Sequence, residues 1–308
     1  MNAGPAGGDT AAMSQTFAIP VPRRSVLYVP AVNERAIAKC AALACDAVVF
    51  DLEDAVAPAM KASARQQLAQ CFAQGRPAPG TCVVRTNGVA EADFAQDLAL
   101  VARVRPDALL VPKLAGVQDV HALCAALEGL DPGIRLWLMV ETAGALSVLD
   151  EIVAAALQAR GRLECLVVGS NDIAKETGVS TGDGRAWLVP WLMRCVLAAR
   201  RFGLAVLDGV WNDFGDTQGF ADELAQSVKM GFDGKTLIHP SQIAAANQAF
   251  APSAAALQEA RAIVEAFALP AHAGAGVIQI AGRMVERLHL AQAERLLALQ
   301  AAIAAGAT

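Results

Sequence analysis

The chain is poor in the residues that redox, zinc and membrane proteins display. Among 308 residues there are four histidines and seven cysteines (Cys40, Cys45, Cys71, Cys82, Cys124, Cys165 and Cys195), and no two cysteines form a CxxC pair. An odd number of cysteines in mostly apolar surroundings excludes a disulfide framework and a zinc cluster, and points to reduced thiols in a cytoplasm. No GxGxxG follows a strand-like run and no GxxxxGK[ST] is present, so nucleotide-dependent hydride or phosphoryl transfer lacks its usual marks. No apolar, charge-free run reaches the roughly 18 residues that a membrane span requires. Lysine and arginine are dispersed in a chain of net charge −5, which argues against a nucleic-acid partner. Met1–Ile19 is rich in small residues and lacks the basic segment and apolar core of a signal peptide; it is expected to be a disordered arm, with Met13 a second candidate start.

What is present is apolar and alternating. At 55% hydrophobic residues the chain can bury a barrel-sized core. Strand-like runs fall at Ser25–Val29, Ala47–Phe50, Thr81–Arg85, Ala108–Val111, Leu136–Val140, Leu163–Val168, Leu204–Leu207 and, more weakly, Lys235–Ile238, each followed by Ala/Leu-rich helical text. Continuous apolar strands alternating with helices describe a parallel sheet covered on both faces. Eight units predict an α/β fold, a (β/α)8 TIM barrel over residues 20–250, with a doubly wound open sheet as the alternative. Residues 251–308 read as a C-terminal helical extension or lid: a helix from Ala254, a loop, a short VIQI strand and a long amphipathic segment from Met284.

In a parallel barrel the active site lies just beyond the strand carboxyl ends. Those positions hold Asp51, Glu53 and Asp54; Arg85 and Asn87; Lys113; Glu141; Gly169-Ser170-Asn171-Asp172; Asp208; and His239. The charge of the chain therefore gathers at one end of the predicted barrel. Asp51 and Glu53, two apart, would share a face of extended chain and form a candidate catalytic pair. Asp54 has a second reading as a helix cap, as does Asp172. Glu141 ends the run LWLMV, where an unpaired carboxylate would cost several kcal/mol to desolvate, so a cation is its natural partner. With no cysteine or histidine cluster, a metal here would be held by oxygen, and Glu141 with Asp172 suits Mg²⁺, which prefers oxygen and keeps waters. The guanidinium fork of Arg85 suits a small carboxylate substrate, or a structural ion pair. Lys113 and Asp208 stand open between functional and structural roles, and His239 is expected to fix a loop by hydrogen bonding.

Several segments in order resemble the HpcH/HpaI aldolase and citrate lyase β-subunit superfamily, specifically its CitE-like and malyl-CoA lyase branch. They are RRSVLYVPAVNERAIAKC, VVFDLEDAVAP, VVRTNG, VPK, VETAGAL, VVGSNDIAKETG and LDGVWNDFGDTQGF with GFDGKTLIHPSQI, together spanning most of Arg23–Leu290. The resemblance implies a Mg²⁺-dependent, reversible Claisen-type lyase that splits a 3-hydroxyacyl-CoA of malyl, methylmalyl, citramalyl or citryl type into a keto acid and an acyl-CoA. It implies Glu141 and Asp172 as Mg²⁺ ligands, Arg85 against the keto-acid carboxylate, and Arg24 and Lys39 near the coenzyme A. It also implies a homo-oligomer, a trimer or hexamer, whose C-terminal segment closes over a neighbouring site. There the family often reads GKMID with the aspartate as acid/base, whereas this chain reads GRMVE and offers Glu286. One extra methylene moves a carboxylate by more than about 1 Å, which matters in positioned catalysis. Thioester hydrolysis, a CoA-independent pyruvate-type aldolase and a non-catalytic subunit of a lyase complex are the alternatives.

Overall fold

A computed structural model describes residues 21–158 and 162–306; the expected N-terminal arm lies outside the described residues. Eight strands close into a parallel barrel in sequence order: β1 (Ser25–Pro30), β2 (Ala47–Asp51), β3 (Thr81–Arg85), β4 (Ala108–Val111), β5 (Arg135–Val140), β6 (Leu163–Val168), β7 (Ala205–Asp208) and β8 (Gly234–Leu237). Each apolar run of the sequence is one of these strands, and the open-sheet alternative falls because β8 pairs back onto β1.

Alternation along the strands sorts the side chains into two layers. Val26, Ala47, Val49, Val83, Ala108, Leu110, Trp137, Met139, Cys165, Val167 and Leu207 pack together inside the barrel. Their sequence neighbours, such as Val48, Phe50, Val84, Leu109, Leu138, Leu166 and Val206, pack outward against the surrounding helices. Those helices include Lys61–Ala73, Phe94–Val104, Leu149–Gln158, Val189–Phe202 and Thr217–Met230. The barrel is thus filled with side chains at its middle, with Arg23 packed over the interior Trp137 ring toward the amino end and a group of charged residues at the carboxyl rim.

The described residues form two compact units, Arg23–Ala251 and a second one from Pro252 onward. The second contains the helix Ala254–Ala268, an antiparallel hairpin of β9 (Val277–Ile280) and β10 (Arg283–Glu286), and the helix Arg287–Gly306. The sequence shows β9, but the amphipathic text from Met284 begins as β10, because Val285 is buried with Ile278 and Phe267 on one face of the hairpin. No described helix is long and apolar enough to cross a membrane.

Candidate active site

The register of the barrel assembles the site. Asp51 at the end of β2 pairs in register with Arg85 at the end of β3, and both continue the inward alternation of their strands, above Val49 and Val83. The Arg85 fork closes on Asp51 through Nε to Oδ1 at 2.8 Å and Nη2 to Oδ2 at 2.6 Å. Asp51 also accepts the backbone N–H groups of Glu53 and Ala55 at 2.9 and 3.2 Å. Both its oxygens are committed, so Asp51 aims the arginine and fixes the turn after β2. On its other side the guanidinium lies 4.8 Å from the Tyr28 ring centroid, and Nη1 donates to the Met139 sulfur at 3.7 Å.

Glu53 differs from Asp51. It is 3% exposed, and although Oε2 sits 2.7 Å from Arg85 Nη1, neither oxygen makes a hydrogen bond among the described residues. Burial pushes its carboxyl up to about 8, with Arg85 pulling the other way. Two carboxylates two residues apart thus have separate characters, one saturated and one free to exchange a proton.

Glu141, directly after β5, has no exposed surface. Its Oε1 accepts the Lys113 N–H at 2.7 Å, while Oε2 has no hydrogen-bond partner among the described residues. Burial raises its carboxyl to about 7, and Lys113 opposes that shift. Gly169, directly after β6, allows this carboxylate to sit where it does: a Cβ there would lie 2.5 Å from Glu141 Cβ and 2.7 Å from Oε2. Asp172 lies in the first turn of the helix Ser170–Thr177, where the helix dipole favours negative charge. Its Oδ1 accepts from Lys113 Nζ at 2.8 Å. It does not cap that helix, whose N-cap is Gly169, and Asp54 caps none either: the helix after β2 begins beyond Met60, and Asp54 instead faces Lys113 Nζ at 3.6 Å.

Asp51, Asp54, Arg85 and Asp172 border a cavity of about 330 Å³ at the carboxyl end of the barrel, lined also by Tyr28, Met139, Gly169, Ser170, Asn171, Asn212 and Thr236; Glu53, Glu141 and Lys113 are not among its lining residues, and Glu141 lies against the lining Gly169. Asn171 and Asn212 pair their amides reciprocally at its edge, at 3.0 and 2.8 Å. Among the described residues no three His, Cys, Asp or Glu side chains converge as a ready-made metal cage. The site does fit a hard cation with few protein ligands: Glu141 directly after β5 and Asp172 in the first helical turn after β6, the former with an unpartnered buried oxygen, leave the remaining positions to water and substrate, as Mg²⁺ prefers.

Other candidates of the sequence lie elsewhere. Arg24 precedes β1, at the amino end of the barrel, and its guanidinium is held by Asp46 at 2.7 and 2.8 Å; Lys39 is exposed at the end of the short helix Glu34–Lys39. Neither lines the cavity. Asp208 points out of the barrel, one residue off the inward alternation of β7, into a buried network with Arg185 at 2.9 Å and Lys235 at 2.7 Å. Asn87 is held among the helices by Asp97 and Lys61. His239 accepts from the Ser241 N–H and stacks on Phe214, the loop-fixing role expected of it. Glu286 ends β10 in the second unit, exposed, its N–H bonded to His289 Nδ1 at 3.0 Å.

Sequence reasoning left Tyr28, Met139, Asn212 and Thr236 unremarked; inward alternation on β1, β5 and β8 was the available signal for three of them. Gly178-Val179-Ser180-Thr181-Gly182 has the GxSxG spacing, although the sequence is read as holding no GxSxG elbow. That segment follows a helix where a nucleophile elbow follows a strand, and Ser180 Oγ accepts the Gly182 N–H at 3.2 Å.

Residues 24–240 match the model of the HpcH/HpaI aldolase/citrate lyase family. The chain is 41% identical over 284 residues to a (3S)-malyl-CoA thioesterase of Cereibacter sphaeroides, covering 92% of this chain and 96% of that one. It is 32% identical over 297 residues to the mitochondrial citramalyl-CoA lyase of Mus musculus, covering 92% and 87%. Among solved structures, CitE from Mycobacterium tuberculosis in complex with magnesium, acetoacetate and coenzyme A matches with a TM-score of 0.72 at 29% identity, covering 92% of this chain and all of that one. With its barrel and its sequence both aligned over most of their length, this chain belongs to the HpcH/HpaI aldolase/citrate lyase family.

Proposed function

We propose that this chain is a Mg²⁺-dependent lyase that cleaves a 3-hydroxyacyl-CoA thioester of malyl, methylmalyl, citramalyl or citryl type into a keto acid and an acyl-CoA. The observation that carries this reading is a buried arginine lining one cavity with Asp172, which Lys113 joins to a buried Glu141 whose Oε2 is unpartnered. Glu141 and Asp172 would hold Mg²⁺, which supplies Lewis-acid polarisation and a template for the keto-acid oxygens.

The chain's own residues divide the remaining work. Asp51 holds Arg85 by its fork, and the Nη1 edge of Arg85, facing Glu53 and Met139, receives the carboxylate of the keto-acid half. Glu53 takes the 3-hydroxyl proton; the electrons of the C2–C3 bond pass to the acyl-CoA enolate as the C3–O bond becomes a carbonyl. An acid then returns a proton to the enolate carbon, the part assigned to Glu286 by resemblance. A trimer or hexamer, a cytoplasmic setting and a C-terminal lid belong to the same proposal; light scattering of the purified chain tests the first.

Thioester hydrolysis is the second reading, favoured by the 41% identity to a malyl-CoA thioesterase. Against it, the described cysteines are free but held above their usual range by burial where shifts occur, and Ser180 lacks an elbow. The test is a panel of 3-hydroxyacyl-CoA thioesters supplied with Mg²⁺ to the chain alone, with keto acid and free CoA measured together. Keto acid formed in step with acyl-CoA supports the lyase; free CoA with the intact hydroxy acid supports hydrolysis; no turnover without partners would contradict both.

A further inference from the structure

Lys113 has a place in the site that the proposed reaction does not use. It follows β4, and its backbone adopts φ +58°, a left-handed conformation that is unfavourable for a non-glycine residue. The conformation sends the backbone and side chain of one residue to the same neighbour. The N–H fixes Glu141 Oε1 at 2.7 Å, while Nζ stands 2.8 Å from Asp172 Oδ1, 3.8 Å from Glu141 Oε1, 3.6 Å from Asp54 and 3.7 Å from Glu53. The ammonium therefore lies between the two carboxylates that fit a divalent cation.

It is an incomplete partner for them. Glu141 Oε2 stays unpartnered, and the distance from Nζ to Glu141 Oε1 exceeds that of a hydrogen bond. The side chain is about one-third exposed, so its flexible four-carbon stem can carry the charge into water without burying it elsewhere. Burial works against the Lys113 charge, but the Asp172 hydrogen bond and the surrounding carboxylates more than offset it.

Resting on the Mg²⁺ reading above, we propose that Lys113 is a tethered cation that holds Glu141 and Asp172 together without metal and is displaced from between them when Mg²⁺ binds. Two positive charges cannot share the space between one pair of carboxylates, so metal entry and the seated ammonium exclude each other. In the metal-loaded site the freed ammonium moves out past the exposed Asp54 carboxylate into water.

Calorimetric titration of the full chain with Mg²⁺ tests this in wild type, Lys113→Met, Lys113→Gln and Glu141→Gln. The two Lys113 variants keep the backbone N–H, and the second serves if the first fails to fold. Wild type should bind, Glu141→Gln should not, and the Lys113 variants should bind at least tenfold more tightly, with a lower metal-free Tm and a larger rise in Tm on adding Mg²⁺. A purely structural lysine would lower Tm without tightening the metal. Labelling of Lys113 by an amine reagent, read by peptide mass, should speed up in wild type when Mg²⁺ is added. Lys113 variants that bind no more tightly than wild type, or labelling unaffected by Mg²⁺, would overturn the tethered cation while leaving the metal site standing. Wild type, Glu141→Gln and the Lys113 variants all failing to bind would overturn the metal reading and this inference together.

Discussion

Replacing Arg85 by lysine keeps the charge and removes the fork. In the native site Nε and Nη2 make parallel bonds of 2.8 and 2.6 Å to the two oxygens of Asp51, Nη1 faces Glu53, and the guanidinium plane packs over Tyr28. An ammonium is a point charge that can satisfy one Asp51 oxygen at a time and stacks poorly. One charge-assisted hydrogen bond, worth about 1.5–3 kcal/mol, is lost at a position where water cannot replace it. Since each 1.36 kcal/mol is tenfold in rate, Arg85→Lys should lower kcat/KM by roughly ten- to a hundredfold. Steady-state kinetics with the best thioester of the panel measures this, beside circular dichroism to show that the fold persists. Kinetics within twofold of wild type would refute the argument that bidentate geometry, rather than charge, is what the site requires of residue 85.

Gly169→Ala places a Cβ 2.5 Å from Glu141 Cβ and 2.7 Å from Oε2, an overpacking of about 1–3 kcal/mol; Mg²⁺ affinity by calorimetry should fall tenfold or more, and an unchanged affinity would show that Glu141 Oε2 is not needed. Glu286→Gln should preserve folding and Mg²⁺ binding while lowering kcat by about 10²–10⁴-fold, with Glu286→Asp retaining or raising activity; near-normal turnover of the Gln variant would remove Glu286 from the mechanism. Burial opposes the charge on Asp208, but Lys235 and Arg185 outweigh it and hold the carboxyl below its usual range. The folded group therefore titrates below the unfolded one at about 3.9: its contribution to stability is present above that pH and lost as pH falls through the folded value. Thermal melts should show Asp208→Asn less stable than wild type near neutrality, with the gap narrowing below about pH 4; a gap independent of pH would contradict this.

The barrel was legible because its strands bury both faces and so read as unbroken apolar runs between helices. The inward site residues were legible for a related reason: charge at the end of such a run has only the rim to occupy. Alternation by two also separates Asp51 and Arg85 from Asp208, whose outward position follows from Leu207 facing inward beside it. The pairing of Asp51 with Arg85 was not legible, since strand register is set by closure of the whole barrel. Nor was the position of Lys113, which depends on one left-handed backbone conformation at a residue with no glycine to announce it. β10 was hidden because four residues of RMVE carry too short a pattern, and only the facing β9 supplies the hydrogen-bond partners. Arg24 and Lys39 came from resemblance alone, and nothing in the local sequence tells that Asp46 holds the Arg24 fork.

Carbon–carbon cleavage at a Mg²⁺ site held by Glu141 and Asp172 can be followed in a single reaction. Purified wild type and Glu141→Gln, each with malyl-CoA and Mg²⁺, are followed for keto acid, acyl-CoA and free CoA in the same reaction, before and after chelation. Wild type should yield equal amounts of keto acid and acyl-CoA, abolished by the chelator and by the substitution in the still-folded variant. Keto acid released at the same rate after chelation, or by Glu141→Gln, would contradict it.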